Sequence, residues 1–267
     1  MLDYSFIRTA LIGTTAVGMV CAFLGVYVVL RRIVFVGATL AQISSAGIAL
    51  GILTGWSTNA LSLALTFAAV LFFAHPSFGR KWPQDAVLGV LFTVSGAAAI
   101  LLVAHTARGN EEVVNLLQGN LLALTAGEAW RMTAIFGGIL LVHLALLKEF
   151  LYLSFDSRMA ATQGYRAGAW NLLFYALLGL AIAMAIKAVG VLLMFAFLVI
   201  PATVGLLVAR RVLGVFVASV LTAALAVFGG IWLSYAYDYP SGPMIVAVLG
   251  GLLAVAGLSR LGVRAVG

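Results

Sequence analysis

Residues 188–208 read AVGVLLMFAFLVIPATVGLLV, an apolar run without a charged side chain. A helix that crosses the hydrocarbon core of a bilayer needs about 20 consecutive apolar residues, so this run predicts a transmembrane helix. Only Lys187 separates it from another apolar run at 170–186, and the chain is therefore expected to break or to make a re-entrant turn near this lysine. Pro201 removes one backbone hydrogen bond and predicts a kink within the run.

The rest of the chain has the same character. Hydrophobic residues make up 64% of the 267 residues and charged residues 9%, whereas a soluble domain carries about 25% charged residues. So few charges cannot cover a water-exposed surface, which excludes a soluble enzyme. The sequence predicts an all-α, polytopic integral membrane protein with about nine transmembrane helices, in which residues 1–267 form a single transmembrane domain. The apolar runs lie at 7–30, 34–54, 59–74, 86–105, 130–147, 170–186, 188–208, 212–235 and 243–259.

Basic residues indicate the orientation, because Lys and Arg hold loops on the cytoplasmic side of a membrane. If nine spans start from an outside N-terminus, eleven basic residues fall inside and four outside. The inside set is Arg31, Arg32, Arg80, Lys81, Lys148, Arg158, Arg166, Arg210, Arg211, Arg260 and Arg264, and the outside set is Arg8, Arg108, Arg131 and Lys187. We therefore predict an outside N-terminus and a cytoplasmic C-terminus. The net charge of +7 is scattered between apolar runs and does not form a nucleic-acid-binding face.

Motifs of catalysis are missing from the sequence. It contains no GxxxxGK[ST] loop for nucleotide phosphates, no HExxH or CxxC metal motif and no GxSxG nucleophile turn. The single cysteine, Cys21, lies inside an apolar run. We therefore expect that the chain is not an enzyme and binds no cofactor itself.

A polar segment on the predicted inner side reads FDSRMAATQGY, residues 155–165. Ala160 and Ala161 allow the surface of another protein to approach closely, and Gly164 permits a tight turn after a short helix. Asp156 precedes them in the same segment. The pattern is typical of a docking segment, with an ordinary interfacial loop as the alternative.

Four stretches, in this order, resemble one family, the ABC-3 permeases that import zinc, manganese or iron(II). They are LGVYVVLRR at 24–32, FDSRMAATQG at 155–164, AVGVLLMFAFLVIPAT at 188–203 and YDYPSGP at 237–243. The resemblance covers nearly the whole chain. It implies an ABC-importer permease that spans a bacterial inner membrane and pairs with a second permease copy in a dimer. An extracytoplasmic solute-binding protein would deliver the metal to it from outside.

The resemblance also implies how transport is driven. ATP would bind to a separate cytoplasmic ABC ATPase subunit, which would hydrolyse it. That subunit would dock on the segment that contains Asp156, Ala160, Ala161 and Gly164. The chain itself would supply the path for metal ion transport.

One segment departs from the family. Members usually carry an acid and a histidine on the second span, and the matching segment here is GATLAQISSAG, residues 37–47, with Ala38 and Gln42 at those two positions. An Asp and a His four residues apart share a helix face and can hold a cation, which an alanine and a neutral amide cannot do comparably. Either the metal uses other ligands or the cargo differs. An ion-coupled carrier is a further alternative, but it needs acids in the middle of a span, and the sequence has none there.

Other polar residues within the spans are candidates for the substrate pathway, because polar groups are costly in lipid. Thr39, Gln42 and Ser45 are three residues apart on one face of the second span. They either line a pathway or hydrogen-bond between closely packed helices. His143 in the fifth run is either a metal ligand or a packing residue, and it would form a weak cation site with Gln42 if their spans face each other.

The expected outer mouth contains three further candidates. His105 ends the fourth run, and Glu111 and Glu112 follow it in a polar stretch. These acids could concentrate cations or meet a binding protein, with a solvated loop as the alternative.

Overall fold

A computed structural model describes residues 5–75, 83–104, 106, 109–119, 121, 124–155 and 166–266 of the chain. The regular structure of these residues is helical throughout, as the sequence predicts. The helices are α1 (Ser5–Leu30), α2 (Val34–Thr54), α3 (Thr58–Ala74), α4 (Gln84–Ala104), α5 (Gly109–Gln118), α6 (Ala126–Ala145), α7 (Leu147–Phe155), α8 (Ala167–Val208), α9 (Val212–Tyr237) and α10 (Ser241–Val266).

Six of the described helices are long and apolar enough to cross a membrane, or seven if the bent pair α6–α7 counts as one span. The expected number of nine is therefore not confirmed. The difference has three sources. The third apolar run forms α3, which has only 17 residues. The fifth run lies in α6, which meets α7 at an angle of 70°. The sixth and seventh runs both lie in α8, which is counted once although its backbone is non-helical at Gly190.

The first part of α8 runs antiparallel to α1. The ring of Phe174 packs on Tyr27 with centroids 5.9 Å apart, and Asn171 accepts a hydrogen bond from Arg31 at 3.0 Å. Later residues of α1 therefore contact earlier residues of α8. The end of α1 and the start of α8 consequently lie on the same side of the bundle.

The second part of α8 runs parallel to α1. Met194 lies opposite Cys21, with 3.6 Å between their sulfur atoms, and the backbone of Leu198 lies against Gly25. Here the contacts move forward along both helices. The two parts of α8 are therefore antiparallel arms, and the chain reverses between them.

The reversal is at Gly190, which has φ of 75° and ψ of 168° inside the otherwise helical α8. A side chain at Gly190 would overlap the backbone nitrogen of Gly119, just beyond the end of α5, and a side chain at Gly119 would overlap the backbone of Val189. Only glycine adopts this φ readily and permits this approach. The break predicted near Lys187 is thus confirmed three residues further on, whereas Pro201 does not interrupt the second arm.

Helix α1 lies in the interior of the bundle. Of its most apolar stretch 72% is buried, against 17% for α4 and 22% for α10, so these two helices are peripheral. At Gly25 the absence of a side chain lets α1 contact the carbonyl group of Leu198. Close approach through small residues is the usual means of packing helices in a membrane, where lipid offers no hydrophobic driving force between them.

A Gly25→Ala substitution tests this contact. Alanine normally stabilises a helix by about 1 kcal/mol relative to glycine, but here its methyl group would overlap the Leu198 carbonyl. We expect a net loss of about 1–3 kcal/mol, which is typical of overpacking, measured as a lower melting temperature of the detergent-purified protein.

The matched control is Gly138→Ala in α6, where an added Cβ meets nothing within 4 Å. This variant should melt at or slightly above the temperature of the native chain. The packing interpretation is wrong if Gly25→Ala does the same.

Candidate functional site

The polar stripe of α2 faces α4. The amide oxygen of Gln42 lies 3.2 Å from the position that a Cβ on Gly96 would occupy, so the glycine makes room for the amide. Gln42 and Ser45 line a cavity of about 50 Å³ between α2, α4 and α5. The other lining residues are Gly96, Ala99, Ile100, Leu116 and Leu117.

Thr39 has a different environment, although it belongs to the same stripe. Its hydroxyl group is buried, donates to the carbonyl oxygen of Phe35 at 2.9 Å and lies 3.3 Å from the carbonyl oxygen of Leu88 on α4. These contacts satisfy the hydroxyl within the packed interface of α2 and α4. Thr39 therefore contributes to helix packing, while Gln42 and Ser45 form the polar wall of the cavity.

This cavity is large enough for a water molecule, but its side chains offer few metal ligands. The polar lining is one amide and one hydroxyl group, and Ala38, four residues before Gln42, is buried and contributes no ligand atom. Among the described residues, no group of three His, Cys, Asp or Glu side chains converges. The arrangement can orient water or bind a cation weakly.

His143 is fully buried in an aromatic cluster. Its Nδ1 lies 2.9 Å from the carbonyl oxygen of Ile139 and donates to it, and its ring stacks on Phe150 with centroids 4.8 Å apart. Nε2 has no hydrogen-bond partner in the described part of the chain. The other rings of the cluster are Phe23, Tyr27 and Phe174.

Gln42 and His143 lie in different parts of the bundle. Helix α2 packs on α3, α4 and α8, whereas α6 packs mainly on α1. The condition for a joint cation site, that the two spans face each other, is therefore not met in this structure. The surroundings of His143 favour the second of its two expected roles, that of a packing residue.

A cavity of about 390 Å³ lies between the starts of α3 and α6 and the end of the first arm of α8. Its polar lining residues are Asn59, Glu128, Arg131 and Lys187. Glu128 also completes a capping box with Thr125, whose hydroxyl lies 2.8 Å from its carboxylate. Sequence analysis did not find this cavity, because its residues come from three distant segments and share no motif. The sequence gives one indication of this cavity: its charged lining residues lie at the ends of apolar runs.

The remaining candidates fall where the structure gives no side-chain positions. His105 and the four docking residues Asp156, Ala160, Ala161 and Gly164 lie outside the described residues. Glu111 and Glu112 lie in α5, but their side chains are outside the described part. The docking segment is bounded by helix α7, which ends at Phe155, and by helix α8, which begins at Ala167.

Comparison with known proteins gives a consistent result. Residues 3–259 match the ABC 3 transport family. Over 256 residues the chain is 26% identical to the manganese transport system membrane protein MntC of Halalkalibacterium halodurans, covering 96% of this chain and 88% of that protein. Over 255 residues it is 28% identical to the probable iron transport system membrane protein of Haemophilus influenzae, covering 92% of this chain and 87% of that protein.

The fold also matches a solved structure. A chain of PsaBC from Streptococcus pneumoniae in complex with Fab superposes with a TM-score of 0.86 at 23% identity, covering 96% of this chain and 92% of that one. At this identity the likeness establishes a common fold, and the family match covers nearly the same residues. The resemblance noted in the sequence is thus confirmed, and the chain is a multi-pass membrane protein that belongs to the ABC 3 transport family.

Proposed function

We propose that this chain is the membrane-spanning permease subunit of an ATP-driven importer of a divalent transition metal. The observation that carries the proposal is the family match over residues 3–259. Two relatives that align over most of their length are named for manganese and for iron transport. Manganese and iron are therefore favoured over zinc as the cargo.

The proposed machine needs partners, because the sequence contains no phosphate-binding loop for ATP. A separate cytoplasmic ABC ATPase would bind and hydrolyse ATP, and a solute-binding protein would deliver the metal from outside. Residues 1–267 would act as one permease domain without a bound cofactor. A second copy would complete the pathway, and the peripheral helices α4 and α10 offer apolar surface for it or for lipid.

Ala38 and Gln42 determine how strongly the proposed pathway can hold its cargo. They support a site that holds the cargo weakly, and a conduit benefits from weak binding, because an ion that binds tightly does not leave. The same two residues favour a second candidate, the same machine with a different cargo. Uptake of Mn²⁺ and of Fe²⁺ by cells that produce the complete transporter distinguishes these functions, since the first requires uptake of at least one of the two ions and the second predicts uptake of neither.

The orientation belongs to the proposal as well, with the N-terminus outside and the C-terminus in the cytoplasm of a bacterial cell. Labelling of single cysteines with a membrane-impermeant maleimide tests it, since the native Cys21 is buried and should not react. Trp56→Cys and Tyr239→Cys, at exposed positions between helices, should be labelled on intact cells. Arg211→Cys, also exposed, should react only after the cells are opened. The opposite pattern contradicts the proposed orientation.

Docking of the ATPase on the segment around Ala161 gives a second prediction. Ala161→Trp places a large ring where a close protein contact is proposed, so transport and stimulated ATP hydrolysis should both fall about tenfold or more, the effect of losing about 1.4 kcal/mol or more of docking free energy. Membrane insertion should stay normal. Ala161→Ser is the matched control, because its side chain remains small and should keep both activities. Unchanged transport in the tryptophan variant would exclude this docking site.

The cavity beside α2 gives a third prediction. Ala38→Asp combined with Gln42→His supplies a carboxylate and an imidazole on one helix face. Purified protein should then retain more Mn²⁺, measured by elemental analysis, and transport should turn over more slowly. His143→Phe is the comparison variant: a ring of similar shape in the aromatic cluster should leave Mn²⁺ transport unchanged.

Two results would contradict the pathway at Gln42. One is a double variant that retains no more Mn²⁺ than the native chain. The other is a loss of transport in a folded His143→Phe protein, which would place the pathway at the histidine instead.

A further inference from the structure

Arg31 follows the last residue of α1 and connects this helix to two others. Its Nε donates to the hydroxyl group of Ser154 at 2.8 Å, and Nη2 donates to the carbonyl oxygen of Phe150 at 3.3 Å, both in α7. Its Nη1 donates to the side-chain oxygen of Asn171 in α8 at 3.0 Å. The guanidinium carbon also lies 4.0 Å from the centre of the Phe174 ring.

These partners are neutral, so the geometry of the guanidinium group matters more than charge pairing. Arginine presents its N–H donors in a rigid planar fork, which a lysine ammonium cannot reproduce. The group is largely buried, and burial lowers the pKa of Arg31 to about 10, so it stays charged at neutral pH. The neighbouring Arg32, by contrast, is exposed.

The helices that Arg31 joins are the two flanks of the proposed docking segment. Ser154 precedes Asp156 by two residues, and Asn171 follows Gly164 by seven. The end of α7 and the start of α8 are therefore the described parts of the chain nearest to that segment in sequence. One side chain at the end of α1 is hydrogen-bonded to both of these helices.

Packing continues from Arg31 into the interior of the bundle. One turn earlier on α1, the ring of Tyr27 contacts Phe150 of α7 and Phe174 of α8, with centroids 6.2 Å and 5.9 Å away. Half a turn further back, Gly25 contacts the backbone of Leu198 in the second arm of α8. Because packed interiors are dense and deform little, α1 would pass a displacement at its end to both arms.

We propose that Arg31 is a positioning residue that couples movement of α7 and of the start of α8, which flank the docking segment, to α1, and so links ATP hydrolysis to transport. This inference rests on the proposed function, in which an ATPase acts on that segment. In this proposal the movement is transmitted through the hydrogen bonds of one side chain, Arg31, to neutral acceptors on α7 and α8.

The decisive variant is Arg31→Lys, which keeps the charge but replaces the planar fork by one ammonium group. The complete transporter, with its ATPase and solute-binding protein, is reconstituted into liposomes, and Mn²⁺ uptake and ATP hydrolysis are measured together. We expect ATP hydrolysis within about twofold of the native complex and a fall of about tenfold in Mn²⁺ transported per ATP, because a lost hydrogen bond to a charged group corresponds to about that factor. Arg32→Lys, next in the chain and exposed, is the control and should keep the native ratio.

Asn171→Ala tests the same connection from the other helix and decides the question alone if Arg31→Lys does not fold. It should lower the ratio of Mn²⁺ to ATP as Arg31→Lys does, and the double variant should be no worse than the more affected single one, because both substitutions break one connection. A native ratio in both single variants overturns the role of Arg31.

Co-purification of the ATPase separates this inference from the proposed function. If the ATPase binds the Arg31→Lys permease and the ratio is native, only the role of Arg31 is wrong. If the ATPase does not bind even the native chain, the proposed function fails, and this inference fails with it.

Discussion

The reversal of the chain at Gly190 determines how the rest of the bundle is arranged. The backbone polar groups of this turn are covered by protein, because the end of α5 at Gly119 lies directly against the turn. The two arms that leave Gly190 reach α1 from opposite directions. One brings Asn171 to the end of α1, and the other brings Leu198 to Gly25 in its middle. The contact between Gly119 and Gly190 thus lies where α5 meets both arms of α8, and these arms in turn pack on α1.

The sequence predicted the helices well, because length and hydrophobicity alone decide whether a segment can span a bilayer. The runs 7–30 and 34–54 became α1 (Ser5–Leu30) and α2 (Val34–Thr54) almost residue for residue. The break near Lys187 was also visible, because the charge interrupts an otherwise apolar stretch. Which helices are neighbours was not predictable, since lipid-facing and core-facing side chains are both apolar in a membrane protein and the pattern does not distinguish them.

At the candidate site, too, the sequence identifies the residues but not the contacts that they make with other helices. The sequence shows that Ala38 and Gln42 supply neither a carboxylate nor an imidazole, but only the three-dimensional structure shows that Gly96 of α4 makes room for the amide. The aromatic cluster around His143 likewise gathers rings from four helices. If the cargo passes Gln42, a wall with one amide and one hydroxyl group discriminates little between cations.

Helix α3 has a consequence for the surrounding lipid. With 17 residues from Thr58 to Ala74, it is about 26 Å long at 1.5 Å per residue, whereas the hydrocarbon core is about 30 Å thick. Leu71 and Phe72 are exposed on its surface, so acyl chains must contact this short helix wherever no other protein covers it. If α3 crosses the bilayer, the mismatch is relieved by local thinning of the bilayer or by flanking polar side chains that extend to the interface, at a cost of a fraction of a kcal/mol per Å. Transport by this protein should therefore depend on acyl-chain length and be favoured in thin membranes.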